Sequence, residues 1–364
     1  KTQETIDSFI GSENYDIGHL FVTKDETGTE YGLGNAFEIG GVPGQLYYGA
    51  GWSKYSKNTT NKIGFLWLLL HEFGHQLGGF HTYTYRIDAI ENQYEIGFGR
   101  SIMSYTEIRS NPYYHHNSIY NILYQFSLSR EAEKNVGTLI PYDQEITITP
   151  LKEYNIPIST PFYLDLNEND LNPDFIYNWE QIYNLNDYEG YINGGREYWG
   201  GLNILNPLFV SLNPTTKPER FFPRQESIIK GELYKNIIPF GRDELYGANI
   251  NFNWEALPEI GRKLKFGLSI RDNSNKRGVF LDTVSVNVVN GTSAFLIKND
   301  LSNKLFKGGE ILEVSWEVGN TDKNPIKTKY VKISMSNDGG LTFPFILSER
   351  AINDGLEKVI IPNL

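Results

Sequence analysis

The stretch His71-Glu72-Phe73-Gly74-His75-Gln76-Leu77-Gly78-Gly79-Phe80-His81 decides how the first part of the chain is read. On a helix, residues four apart are separated by about 40° around the axis, so His71 and His75 project side by side. Two neutral imidazoles placed in this way can bind one zinc ion through ring nitrogens. Glu72 falls next to them, where its carboxylate can reach a water in an open metal position and take its proton. His81 is out of reach of the same ion if the helix simply continues. Gly78, followed by Gly79, tolerates positive φ, so the helix can stop there in a left-handed turn and bring His81 back under the pair. Three protein ligands leave tetrahedral zinc one open position, as catalytic sites do and closed structural sites do not. With only six His in 364 residues, three of them in this register with the acid and the glycine do not read as chance.

A second signal is Ser101-Ile102-Met103-Ser104-Tyr105, whose methionine lies 22 positions beyond His81 and is one of only two in the chain. It resembles a Met-turn, and with the extended zinc motif the chain resembles a metzincin metalloprotease. The resemblance implies that Met103 forms a hydrophobic floor beneath the zinc. It also implies that Tyr105 binds the metal or steadies the tetrahedral intermediate, as the matching tyrosine does in serralysins and astacins. The residue after the third His is Thr82, where reprolysins usually have Asp and astacins Glu, so the subfamily stays open on that position. The nearest likeness is to the reprolysin-like secreted metalloproteases of Bacteroidetes. It extends upstream through Ile10-Gly11-Ser12-Glu13-Asn14-Tyr15-Asp16-Ile17-Gly18-His19 and downstream through Asn111-Pro112-Tyr113-Tyr114-His115-His116-Asn117-Ser118-Ile119. In this family a cleft-rim strand takes up substrate, and we place it within residues 34–49. The resemblance also implies that the loop running from Tyr105 to Tyr114 shapes the S1' pocket. Metzincins usually carry a strand, a long helix and another strand before the region matched by residues 1–20. Those elements are not found here, which predicts an exposed sheet edge. His19, His115 and His116 do not sit at ligand spacing and are read as packing or hydrogen-bonding residues.

Composition narrows the alternatives. A net charge of −11 with no Lys/Arg block argues against nucleic acid as a partner. The longest apolar run, Ile63 to Leu70, is far too short to span a membrane and continues into the zinc helix. The chain has no cysteine, so its cores must hold without disulfides, and its 21 Phe, 24 Tyr and 6 Trp supply the material. It begins at Lys1 with neither Met nor a signal peptide, which reads as a processed or truncated chain.

The pattern predicts an α+β metzincin-like catalytic domain over residues 1–138, made of a twisted sheet and the zinc helix. Two all-β sandwiches of Ig/fibronectin-like type follow, over 139–290 and 291–364. In the first part, strands are expected at 20–22, 36–39 and 46–48, with helices at 61–77 and 118–126. The second helix carries an apolar stripe of Ile119, Ile122, Leu123 and Phe126. In the second part, strands are expected at 145–149, 162–164, 175–180, 265–270 and 284–289, with Trp179 in a core and long insertions over 187–246. In the third part, strands are expected at 311–318, 330–335, 345–347 and 358–361 around Trp316, with a turn at Asp338-Gly339-Gly340. Asn178-Trp179-Glu180 and Ser315-Trp316-Glu317 look alike, which we read as shared architecture rather than a site. The acidic loops 167–170 and 272–275 carry oxygen ligands suited to calcium but no recognisable cation-loop pattern, and are read as solvated turns.

The resemblance therefore implies a secreted, zinc-dependent endopeptidase acting on protein or peptide substrates. Zinc is the cofactor, His71, His75 and His81 are the metal ligands, and Glu72 and Tyr105 are the catalytic groups. In the resembled proteases such β modules precede a sorting tail for type IX export, which places the protein outside a bacterial cell or on its surface. The β domains are then candidates for contact with a cell surface or glycan. The alternative is a retired metzincin serving as an adhesin or binding module.

Overall fold

The structure is a computed structural model. It describes residues 2–11, 14–15, 17–24, 31–33, 51–56, 62–83, 94–96, 99–105, 112–131, 146–182, 198–199, 207–232, 238–239, 255–274, 278–299, 301 and 304–363. The strands expected at 36–39 and 46–48, the cleft rim within 34–49 and most of the loop after Tyr105 lie outside them, as does much of the insertion over 187–246.

The N-terminal region opens with α1 (Thr2–Ile10), which the sequence reading did not anticipate, ended by Gly11 at φ 85°. Three strands follow: β1 (His19–Lys24), β2 (Tyr31–Leu33) and β3 (Gly51–Ser56). They form a sheet in the order β1-β3-β2, with β1 parallel and β2 antiparallel to β3. Helix α2 (Lys62–Gln76) then carries the first two imidazoles. Gly64, Trp67, His71 and Gly74, at three- and four-residue spacing, form one inward stripe, with Glu72 and Gln76 buried beside it. Trp67 packs there with Ile102 and Met103.

Helix α3 (His116–Glu131) is longer than expected, and its apolar stripe does not define its buried face. Leu123 is exposed, whereas Ser118 and Gln125 are buried. The reason is close approach: a Cβ on Gly78 would lie 2.8 Å from Gln125 Cβ, so the tight turn after α2 packs directly onto α3.

The next region is mostly β. Its elements are β4 (Tyr154–Pro157), β5 (Phe162–Leu164), β6 (Phe175–Ile182), β7 (Tyr198–Trp199), β8 (Arg220–Phe222), α4 (Gln225–Lys230), β9 (Ile238–Pro239), β10 (Arg262–Asp272) and β11 (Val279–Val289). A four-stranded sheet runs β4-β11-β10-β6, and short pairs β5-β8 and β7-β9 accompany it. Trp179, Phe209, Phe222, Phe266 and Leu268 belong to its core. No strand forms at 146–149, which corrects the expectation for 145–149. There the Thr149 N–H donates to Asp170 Oδ2 at 3.0 Å instead of to a ladder, and Pro150 has no N–H to offer. Ile146 still enters the core.

The last region has β12 (Leu296–Ile297), β13 (Ile311–Glu317), β14 (Tyr330–Met335), β15 (Phe345–Ile352) and β16 (Leu356–Ile360). They pair as β12-β13-β16 and β14-β15 over a separate small core of Val314, Trp316, Ala351 and Val359. The expected turn at Asp338 is present. Asp338 Oδ1 accepts from Leu341 N and Thr342 N at 3.0 and 2.9 Å, with Gly339 and Gly340 at positive φ.

Candidate metal centre

Helix α2 ends in a glycine-based C-cap of Schellman type. Gly78 N–H donates to His75 O and Gly79 N–H to Gly74 O, at 2.9 and 2.7 Å, with Gly78 at φ 99°. This turn reverses the chain and delivers His81 to the pair on the helix. The Nε2 atoms of His71, His75 and His81 lie 3.0 to 3.2 Å apart.

The other ring nitrogens determine what these atoms present to one another. His71 Nδ1 lies 2.7 Å from Ile102 O and His75 Nδ1 lies 2.8 Å from Gly79 O. A carbonyl only accepts, so both Nδ1 atoms carry the proton. Neutral rings in that tautomer turn lone pairs toward each other, and the contact between His71 and His75 cannot be a hydrogen bond between them. A cation resolves the repulsion. Burial lowers the His75 pKa, with its hydrogen bond to Gly79 opposing, which keeps the ring in the neutral form that binds metal.

The donor set fits zinc. Zn–N bonds of about 2.0–2.1 Å in tetrahedral geometry separate ligand nitrogens by about 3.3 Å, close to the spacing present. Orientation of each imidazole through its second nitrogen is the support that metal-ligating histidines require. Among the described residues this trio is the one group of His, Asp or Glu side chains gathered closely enough to hold an ion; the acidic loops are not.

Met103 is fully buried beneath the helix turn. A Cβ on Gly74 would lie 2.3 Å from its Sδ, so the Gly between Phe73 and His75 is needed for this approach. Glu72 is 5 % exposed and Tyr105 43 % exposed. The Tyr105 ring centroid is 4.7 Å from that of His81 and 5.7 Å from that of His71. It stacks on Tyr83 at 4.4 Å, whose hydroxyl is 3.4 Å from His81 Nδ1. Tyr83 was not singled out from the sequence, where only its place two residues after the third imidazole hinted at it.

The remaining histidines stay away from the trio. His19 Nδ1 and Nε2 contact Gln76 Oε1 and Ser53 Oγ at 2.7 and 2.9 Å, and its ring stacks on Phe73, tying β1 and β3 to α2. His115 stacks on Tyr94, and His116 packs on β10 with its Nδ1 3.2 Å from Ser269 Oγ.

Two helix-borne imidazoles, a third turned back beside them, a neighbouring acid and a buried methionine make up the arrangement that zinc metallopeptidases of metzincin type carry. More particularly, residues 1–131 match the model of metallo-peptidase family M12B, reprolysin-like. Comparison with curated proteins and with solved structures finds no match to the chain. Among the described residues no helix is long and apolar enough to cross a membrane.

Proposed function

We propose that the protein is a zinc-dependent endopeptidase in which His71, His75 and His81 hold the metal and Glu72 moves the proton. The observation that carries this reading is the trio of Nε2 atoms at 3.0 to 3.2 Å, two of whose rings are fixed by carbonyls. When bound, zinc supplies a Lewis acid that polarises the scissile carbonyl and makes water acidic near neutral pH. Glu72, adjacent to His71 and shielded from bulk solvent, accepts a proton as water oxygen bonds to the carbonyl carbon. The carboxyl then returns that proton to the departing amine as the C–N bond breaks. Tyr105, half-open to solvent against the His81 ring, is placed to donate its phenol hydrogen to the carbonyl oxygen as negative charge grows.

Export from a bacterial cell belongs to the same proposal and rests on the family likeness. So does the division into 1–138, 139–290 and 291–364, with the last two as Ig/fibronectin-like sandwiches. It is supported by the separate apolar clusters in the two β regions.

Glu72→Gln tests the mechanism. The variant should bind zinc as the parent does and lose casein or peptide cleavage by about 10²-fold or more. Unchanged turnover would defeat the role of Glu72. A zinc-loaded parent chain that cleaves nothing in a peptide library would point instead to a binding module built on a metallopeptidase frame.

A further inference from the structure

Glu95 lies outside every motif, yet it is 1 % exposed and its carboxylate is occupied on both oxygens. Oε1 accepts from Arg100 N and Ser101 N at 2.7 and 3.0 Å. Oε2 accepts from the hydroxyls of Thr82 and Ser101, each at 2.5 Å. Thr82 directly follows the third imidazole, and Ser101 opens the segment that leads to Met103. Backbone bonds close the same circuit, with Thr82 N–H donating to Met103 O at 3.1 Å and Tyr94 and Glu95 N–H both donating to Thr82 O at 2.8 Å. Gly99, at φ 72°, leaves no room for a side chain, since a Cβ there would stand 2.5 Å from Ser104 Cβ and 3.1 Å from Glu95 Oε2.

We propose that Glu95 is a positioning residue that clamps the segment carrying His81 to the Met103 turn and so fixes the third metal ligand. The inference rests on the zinc reading above. A carboxylate is an acceptor only, and four donors from two separate segments converge on this one. Charge-assisted hydrogen bonds to backbone N–H groups are short and strong in a dry site, so the two segments are held as one body. Thr82 cannot do this itself, because its hydroxyl has one hydrogen to donate and no charge with which to gather the backbone N–H groups of Arg100 and Ser101. Glu95 supplies the anchoring charge from a neighbouring stretch, which is why the residue beside His81 need not be acidic here.

The experiment uses the full chain and reads zinc affinity by competition with a chromophoric chelator, with apo-protein folding followed by circular dichroism. Glu95→Ala should weaken zinc binding by about 10- to 100-fold, the usual cost of losing a partner behind the ligands. Glu95→Gln should recover most of that loss, because its oxygen keeps the two N–H groups and the hydroxyls can turn to accept from its amide. A folded Glu95→Ala with parental affinity, or a folded Glu95→Gln no better than Glu95→Ala, overturns the clamp. If Glu95→Ala does not fold, Thr82→Val combined with Ser101→Ala leaves the carboxylate in place and removes two donors. Weaker zinc binding is then expected, and parental affinity overturns the proposal. With only two methionines in the chain, a ¹³C-methyl label gives a second reading without metal: the Met103 signal should shift in Glu95→Ala while that of Met335 stays. Failure of the enzymatic reading looks different, because a parent that binds zinc without cleaving peptides leaves the clamp standing. A parent that cleaves while Glu95→Ala keeps full affinity removes the clamp alone.

Discussion

Asn178-Trp179-Glu180 in β6 and Ser315-Trp316-Glu317 in β13 start from nearly the same residues and end in different surroundings. Both indoles are buried and both N–H groups are satisfied, Trp179 by Pro218 O at 2.8 Å and Trp316 by Asn353 Oδ1 at 3.0 Å. The glutamates diverge. Glu317 is exposed, whereas Glu180 is fully buried and accepts from His116 N at 2.7 Å and from the Ser211 hydroxyl. Along β13 every second residue turns away from its core, while β6 is covered on both faces. The second face of β6 meets the metallopeptidase region. Tyr113 OH lies 2.7 Å from Ser211 Oγ, Arg271 Nη2 donates to Tyr114 O at 2.8 Å, and Tyr113 O in turn accepts from Ile102 N beside Met103. The first β region is thus keyed by buried polar groups to the segment that supports the metal site. The last β region has its own small core and meets the first mainly through hydrogen bonds of its loops, such as Gln225 Nε2 donating to Gly340 O and Leu341 O at 2.8 and 2.9 Å.

The largest break in this contrast should come from removing Glu180. Burial raises its carboxyl pKa, and Arg271 and the hydrogen bonds pull it back. Truncation leaves the His116 N–H without its acceptor and removes the buried carboxylate that faces the Arg271 and Arg220 guanidinium groups. Glu180→Ala should cost about 3–5 kcal/mol in urea unfolding, while Glu317→Ala leaves the midpoint where it was. Equal effects would show that the two β regions are attached alike.

Acid should act on the same junction. Burial above all lowers His115 to about 4 and His116 to about 3, from about 6.5 in an unfolded chain. His115 is faced by Glu95, Arg271, Arg220 and Glu180, and His116 by His115, Arg271 and Lys265. Between those values the unfolded state holds more protons, so stability falls as pH drops below 6.5. The slope is about 1.4 kcal/mol per pH unit for each imidazole, ending near 4 and 3. Glu180, with its raised pKa, works in the opposite sense above 4.5, and one carboxyl does not offset two imidazoles. The last β region contains no histidine. Hydrogen exchange, corrected for intrinsic rates, should lose protection in β6 and β10 between pH 7 and pH 5 and keep it in β13. Uniform loss would contradict the account.

A smaller effect is expected at Gly267, where a Cβ would stand 2.4 Å from the His116 ring. Gly267→Ala should cost about 1–3 kcal/mol by overpacking and should broaden the unfolding of β10 rather than that of β13.

The convergence of His71, His75 and His81 could be read from spacing because helix periodicity and a glycine stop are local properties, and the same holds for the strands around Trp179 and Trp316. What escaped the reading was set by distant partners. Glu95 has no periodic signature, since its role exists only once Thr82 and Ser101 are brought beside it. The polar face of α3 was missed because Gln125 is chosen by the close approach of Gly78, while Leu123, which satisfies the apolar pattern, is left in solvent. Residues 146–149 carry a strand-like pattern, yet Asp170 takes the Thr149 N–H that a ladder would need.

The finest test concerns Trp316, whose indole lies far along the chain from the metal site. Asn353 Oδ1 accepts its N–H, and Asn353 Nδ2 donates to Thr321 Oγ1 and Thr328 O at 2.8 and 3.0 Å. The indole therefore steadies a buried amide that ties the bend after β15 to the loop between β13 and β14. Trp316→Phe keeps most of the apolar contact and strands one acceptor, at a cost of about 1–2 kcal/mol. If the last β region stands on its own core, that cost should appear in the exchange of β13 to β16 alone, with zinc affinity at the parental value. A weakened metal site in this variant would mean that the two β regions are coupled after all.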